Sequence, residues 1–203
     1  VTYTDRNSKQ PAQGVAHTVE IEGQNVEVIV PPSGTNPPAG STVPTAEQVA
    51  KSLTILPNET LASIDTVVVT NTPHPRNAPG KVVPADHANG TIYQYPMSDE
   101  ENTLSNTKGH DQPNLDWRML HEGSHAYDRE YMGPGREAEW RAAMDKDARH
   151  PTRYAQEKGA TEDYAESFVM YVLVRGTPCE AYARKMFPAR FVVLDAWHGA
   201  RYQ

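Results

Sequence analysis

Residues 18–30, TVEIEGQNVEVIV, alternate apolar and polar positions on both sides of EGQN, the period-2 signature of a β-hairpin. A proline- and glycine-rich connector, PPSGTNPPAGSTVP, follows and reads as a domain seam or a long surface loop. Thr45 and Gln48 form a capping box ahead of Val49 and Leu53, which predicts a helix over 46–54. IDTVVVT (64–70) is a valine-rich run expected as a buried strand. TIYQYPM (91–97) reads as another strand, and Pro96 places it at a sheet edge.

After residue 112 the pattern changes to that of helices. Asn114 is the expected N-cap of a helix reaching Tyr131. EAEWRAAMDKDA and TEDYAESFVMYVLV, the latter opening at Thr161, predict two more. Thr177 and Glu180 frame a fourth with Pro178 at its first position, and PARFVVLDAWHGA supplies a fifth. Strands first and helices second argue an α+β fold. Residues 1–44 read as an N-terminal hairpin and connector, either part of the domain or a linker, and 45–203 as the main domain.

Charge and composition narrow the function classes. The formal charge is -7 with lysines and arginines scattered, so no basic groove for nucleic acid is expected. The longest apolar run, SFVMYVLV, falls well short of the roughly 18 residues that a membrane span needs. Cys179 is the single cysteine, which excludes an internal disulfide and a cysteine zinc finger. The chain opens at Val1 with neither an initiator methionine nor a signal peptide, the expectation for a mature or excised piece of something longer. Asn58-Glu59-Thr60 and Asn89-Gly90-Thr91 fit the glycosylation triplet, a match common by chance.

The chemistry concentrates in MLHEGSHAYD, residues 119–128. Residues i and i+4 of a helix lie about 40° apart, so His121 and His125 project from one face in adjacent turns. Two imidazoles so placed can each give a nitrogen to one Zn²⁺, with Glu122 about 100° round and able to serve a water as general base. An ordinary solvated helix face is the competing reading. Gly123 costs about 1 kcal/mol of helix propensity, so a close packing contact or a site reason is expected there. A catalytic zinc needs a third protein ligand, and AYDREYMGPGRE after His125 offers no histidine at the metzincin position. Glu162 and Glu166, four apart beside Ala165 and Val169, put carboxylates next to an apolar stripe. Metal at Glu162, with a hydrogen bond from a liganding histidine to Glu166, would satisfy both.

TEDYAESF (161–168) resembles the Glu-x-x-Ala-Glu-x-Phe segment of the anthrax lethal factor type of zinc peptidase, shared by the bacterial Pro-Pro endopeptidases, and HAYD (125–128) is similar to that family's His-Ala-x-Asp. The likeness covers residues 119–168. It implies a zincin-like metallopeptidase fold of the gluzincin type with one catalytic Zn²⁺ on His121, His125 and Glu162, Glu122 as base and Glu166 behind the ligands. The family also places an oxyanion-stabilising tyrosine seven residues before the third ligand. Here Tyr154 stands eight before Glu162, a one-residue departure, with Tyr164 a second choice and His110 a loop histidine near the helix entrance.

The expected activity is hydrolysis of a protein or peptide substrate, held in extended form along TIYQYPM with Tyr93 and Tyr95 as contacts. By analogy with zinc peptidase domains at the C-terminus of type VI secretion spike proteins, the chain is expected to be tethered to a larger secretion-system protein. It would then be secreted or delivered into a target cell as a bacterial effector. The alternatives are a zincin-like binding module without activity and a metal-stabilised domain without catalysis.

Overall fold

The computed structural model describes residues 1–78, 82–98, 111–131 and 133–199, so His110 lies outside the described residues. The chain divides into two units, Val1–Ala126 and Tyr127–Gln203.

The first unit is built on a mixed five-stranded sheet. Strands β1 (Thr2–Thr4) and β2 (Pro11–Gln13) form an antiparallel pair of their own. Next come β3 (Val15–Ile21) and β4 (Gln24–Val30), the hairpin predicted from alternation. Its turn residues Glu22 and Gly23 both have positive φ, 50° and 80°, the backbone that matches the right-handed twist of flanking strands. Strand β5 (Ser41–Thr42) lies within the proline-rich connector. Helices α1 (Ala46–Leu53) and α2 (Asn58–Ala62) follow, then β6 (Thr66–Val69), β7 (Ala85–Ala88), β8 (Thr91–Gln94) and β9 (Met97–Ser98). The capping box of α1 is present as read: Gln48 N donates to Thr45 Oγ1 at 3.2 Å and Thr45 N donates to Gln48 Oε1 at 2.9 Å.

The sheet order is β3-β4-β6-β8-β7, with β6 parallel to both neighbours and the outer pairs antiparallel. The buried-strand reading of 64–70 agrees with Val67, Val68 and Val69, all buried. The edge position expected for 91–97 is not found, because β8 is paired on one side with β6 and on the other with β7. Pro96 lies beyond the ladder and therefore removes no donor from it. Strands β3 and β7 hold the two edge positions of this sheet among the described residues. The β7–β8 turn is Asn89-Gly90, again with positive φ at both residues, 50° and 73°. The triplet read above as a glycosylation match is thus a two-residue hairpin turn.

One face of the sheet carries Val26, Val28, Val67, Val69 and Ile92, all buried, with Val49 and Leu53 of α1 and Leu56, Leu61 and Ile64 completing the apolar core. Helix α3 (Gln112–Tyr131) begins two residues before the expected N-cap. Asp111 caps it, its Oδ1 accepting from Asn114 N at 3.1 Å, so Asn114 sits in the first turn instead. At Gly123 an added Cβ would lie 3.1 Å from Thr60 Cγ2 and 3.2 Å from Leu56 Cδ2. The packing reason expected for that glycine is therefore present.

The second unit is helical: α4 (Pro134–Asp147), α5 (Arg153–Lys158), α6 (Ala160–Val174), α7 (Glu180–Met186) and α8 (Pro188–His198). Helix α5 was not read from the sequence; Thr152 caps it by accepting from Ala155 N at 3.1 Å. Helix α7 begins later than the capping box implied. Thr177 Oγ1 accepts from Cys179 N and the Glu180 carboxylate from Gly176 N, which spends both side chains on the turn before the helix. Trp140, Tyr164, Phe168, Tyr171, Phe191 and Leu194 form the core, with Trp140 edge-on to Tyr164 at 5.3 Å. Among the described residues no helix is long and apolar enough to cross a membrane.

Substituting Gly90→Ala forces an L side chain into positive φ and should destabilise the chain by about 1–2 kcal/mol, seen as a lower urea midpoint with an unchanged slope.

Candidate metal centre

Helix α3 presents three aromatic rings in a row at four-residue spacing. The Trp117 indole stacks on the His121 imidazole, centroids 5.0 Å apart and planes 25° from parallel. His121 in turn meets His125 edge-on, centroids 4.8 Å apart at 85°. His121 is buried and His125 is half-buried. The backbone carbonyl of His121 accepts from Ser124 Oγ at 2.6 Å, a local bond within the helix.

The decisive distance is between the two ring nitrogens. Nε2 of His121 and Nε2 of His125 stand 3.2 Å apart. Two ligand atoms about 2.0–2.1 Å from one tetrahedral zinc are separated by roughly 3.3 Å, so the nitrogens already have the spacing of an edge of that tetrahedron.

Glu162 stands in the first turn of α6 and is half-buried. His121, His125 and Glu162 form a group that can hold a metal ion: one ligand atom of each lies within 4.8 Å of the others. Two imidazole nitrogens and a carboxylate oxygen are a donor set that suits zinc, and the 3.2 Å nitrogen pair fits its coordination sphere.

The other candidates from the sequence are placed as follows. Glu122 follows His121 on α3 and is half-buried. Glu166, one turn after Glu162, is buried. Tyr154 is on α5 and is 46% exposed. Tyr93 is half-buried on β8, with the Arg6 guanidinium over its ring at 5.1 Å. Tyr95 is fully buried, its ring edge-on to His74 at 4.8 Å, and desolvation pushes its phenol pKa far above the usual value. Tyr164, the second choice for the oxyanion, is buried with its hydroxyl 3.1 Å from His198 Nε2. Tyr93 and Tyr95 belonged to the edge-strand reading, which the interior position of β8 removes.

Two neighbours of the histidines lie outside the motif. Trp117 extends their four-residue spacing one step backwards, a signal present in the sequence. Arg118 is buried, donates from Nε to Gln94 Oε1 at 3.3 Å, and burial lowers its pKa to about 10. No periodicity announces a buried guanidinium, since its partner Gln94 comes from β8.

No protein-family model, curated protein or solved structure matches this chain. The likeness to lethal-factor-type peptidases therefore rests on the quoted motifs alone.

Because Thr60 and Leu56 are both buried, Gly123→Val should overpack the α3 contact and destabilise the fold by roughly 1–3 kcal/mol in urea unfolding.

Proposed function

We propose that this chain is a zinc-dependent endopeptidase. The observation that carries the reading is the 3.2 Å approach of the His121 and His125 Nε2 atoms, with a Glu162 oxygen in the same group. His121, His125 and Glu162 would hold the metal, and Glu166 would orient a liganding imidazole from behind. A zinc ion there supplies a positive charge that polarises the scissile carbonyl and acidifies a water.

The remaining chemistry belongs to the protein. Glu122 takes the proton of the attacking water on its carboxylate and returns it to the leaving amine nitrogen as the C–N bond breaks. Tyr154 donates its phenolic hydrogen to the oxyanion of the tetrahedral intermediate. Its exposure suits a group that meets substrate. An extended peptide pairs with the edge strand β7. Strand β7 is the choice over β3 because its neighbour β8 packs on α3, where Gln94 Nε2 donates to Met119 Sδ at 3.4 Å.

By analogy with zinc peptidase domains at the C-terminus of type VI secretion spike proteins, we propose a secreted bacterial effector domain tethered to a larger secretion-system protein. Residues 1–44 belong in this proposal to the same domain as 45–203, because β4 pairs with β6 in one sheet.

Elemental analysis of the wild type should find close to one zinc per chain, falling sharply in Glu162→Ala. Zinc-free wild type that takes up none on addition would return α3 to a polar helix face and favour the binding-module reading. On a cleaved peptide, Glu122→Gln should keep the metal and lose about 10²–10⁴-fold in kcat. Normal turnover by that variant would remove Glu122 as the base.

A further inference from the structure

The second unit contains a cluster of charges buried more completely than its helices require. Arg190 and Asp163 are both 0% exposed, and Asp147 is 1% exposed. Arg190 donates from Nε to Asp163 Oδ1 at 2.7 Å and from Nη2 to Asp163 Oδ2 at 2.8 Å, a two-pronged bond. Its Nη1 donates to Asp147 Oδ2 at 3.1 Å. Asp147 also accepts from the backbone N–H groups of Ala189 and Arg190, so it caps α8. Nδ1 of the half-exposed His150 stands 3.0 Å from Asp163 Oδ2. The end of α4, the first turn of α6 and the first turn of α8 thus converge on one guanidinium.

Apolar residues of similar volume would join three helices as well, because burying ions costs most of what their attraction returns. A planar fork does one thing that methyl groups cannot: it fixes the rotation of the helix that carries the carboxylate. Helix α6 needs such a fix. Its N-cap is Gly159, at φ 90°, with no side chain to anchor the first turn. Asp163 follows Glu162 directly.

We infer that Asp163, clamped by Arg190, is a positioning residue that sets where the Glu162 carboxylate stands, an inference that rests on the zinc reading above. A side-chain tip about 6 Å from a helix axis moves about 1 Å for each 10° of rotation. Metal–ligand distances tolerate about 0.2 Å. The Glu162 side chain can recover part of a shift by changing rotamer, so loss of the clamp weakens metal binding without abolishing it.

The test measures the zinc dissociation constant of the full chain by chelator competition, together with the visible spectrum of the cobalt(II)-loaded protein. The proteins compared are wild type, Glu162→Ala, Asp163→Asn, Arg190→Lys and the paired apolar variant Asp163→Leu with Arg190→Met. Circular dichroism and urea midpoints identify the folded variants. The paired variant, made together with Asp147→Asn so that no buried carboxylate loses its cation, serves where a single change leaves an unpartnered buried charge and unfolds the chain. The expected result is zinc binding weakened about 10- to 100-fold in every folded clamp variant, with cobalt bands displaced towards those of Glu162→Ala. Folded clamp variants with wild-type zinc affinity and an unchanged cobalt spectrum would make the cluster purely structural and overturn the inference alone. A wild type that takes up no zinc overturns the zinc reading and this inference with it.

Discussion

The close approach at Gly123 is the contact on which the first unit's chemistry depends. A helix that offers two imidazoles on one side must be gripped on another, and grip requires area. Leu115, Met119 and Leu120 supply it as buried side chains, and the missing Cβ of Gly123 lets Leu56, Thr60 and Ile64 come closer than any other residue would allow. Dispersion forces fall steeply with distance, so a gap there would leave α3 free to rock.

The polar groups on α3 follow from the same demand. Gln94 faces the helix from an interior strand and is fully buried, accepting from Arg118 and donating to Met119. Trp117 covers one face of His121, which restricts the imidazole to edge-on approach towards His125. The second unit solves the corresponding problem with charge. Its α6 has no side-chain cap, and the anchor is a buried guanidinium fork on Asp163.

Turn chemistry and strand order show how far local reading goes. Glu22-Gly23 lies within the predicted hairpin, because alternation on both sides of a short polar break leaves little choice. Asn89-Gly90 carries an equally strong hairpin signal, yet its first strand, Ala85–Ala88, is short and lacks an apolar run. Reading Pro96 as an edge marker assumed that it belonged to the ladder, whereas β8 stops at Gln94. Thr177 was read as a helix cap because the residues at that spacing permit it; its hydroxyl instead accepts from Cys179 N, a choice between neighbouring backbone donors that spacing does not decide.

The sequence by itself determined what depends on residues close in the chain: the capping box at Thr45, the order of strands before helices, and the two histidines on one helical face four apart. Helical geometry sets those relations whatever lies around them. Only the tertiary structure decided which strand occupies the interior of the sheet and that Asp163 meets Arg190. Those relations join residues distant along the chain, where pairing is settled by packing and by the need of each buried polar group for a partner. Glu162 and Glu166 are both legible as carboxylates beside an apolar stripe, and Glu162, the ligand expected from the sequence, is the one grouped with His121 and His125. Local chemistry names the candidates, and the folded chain brings their atoms within reach.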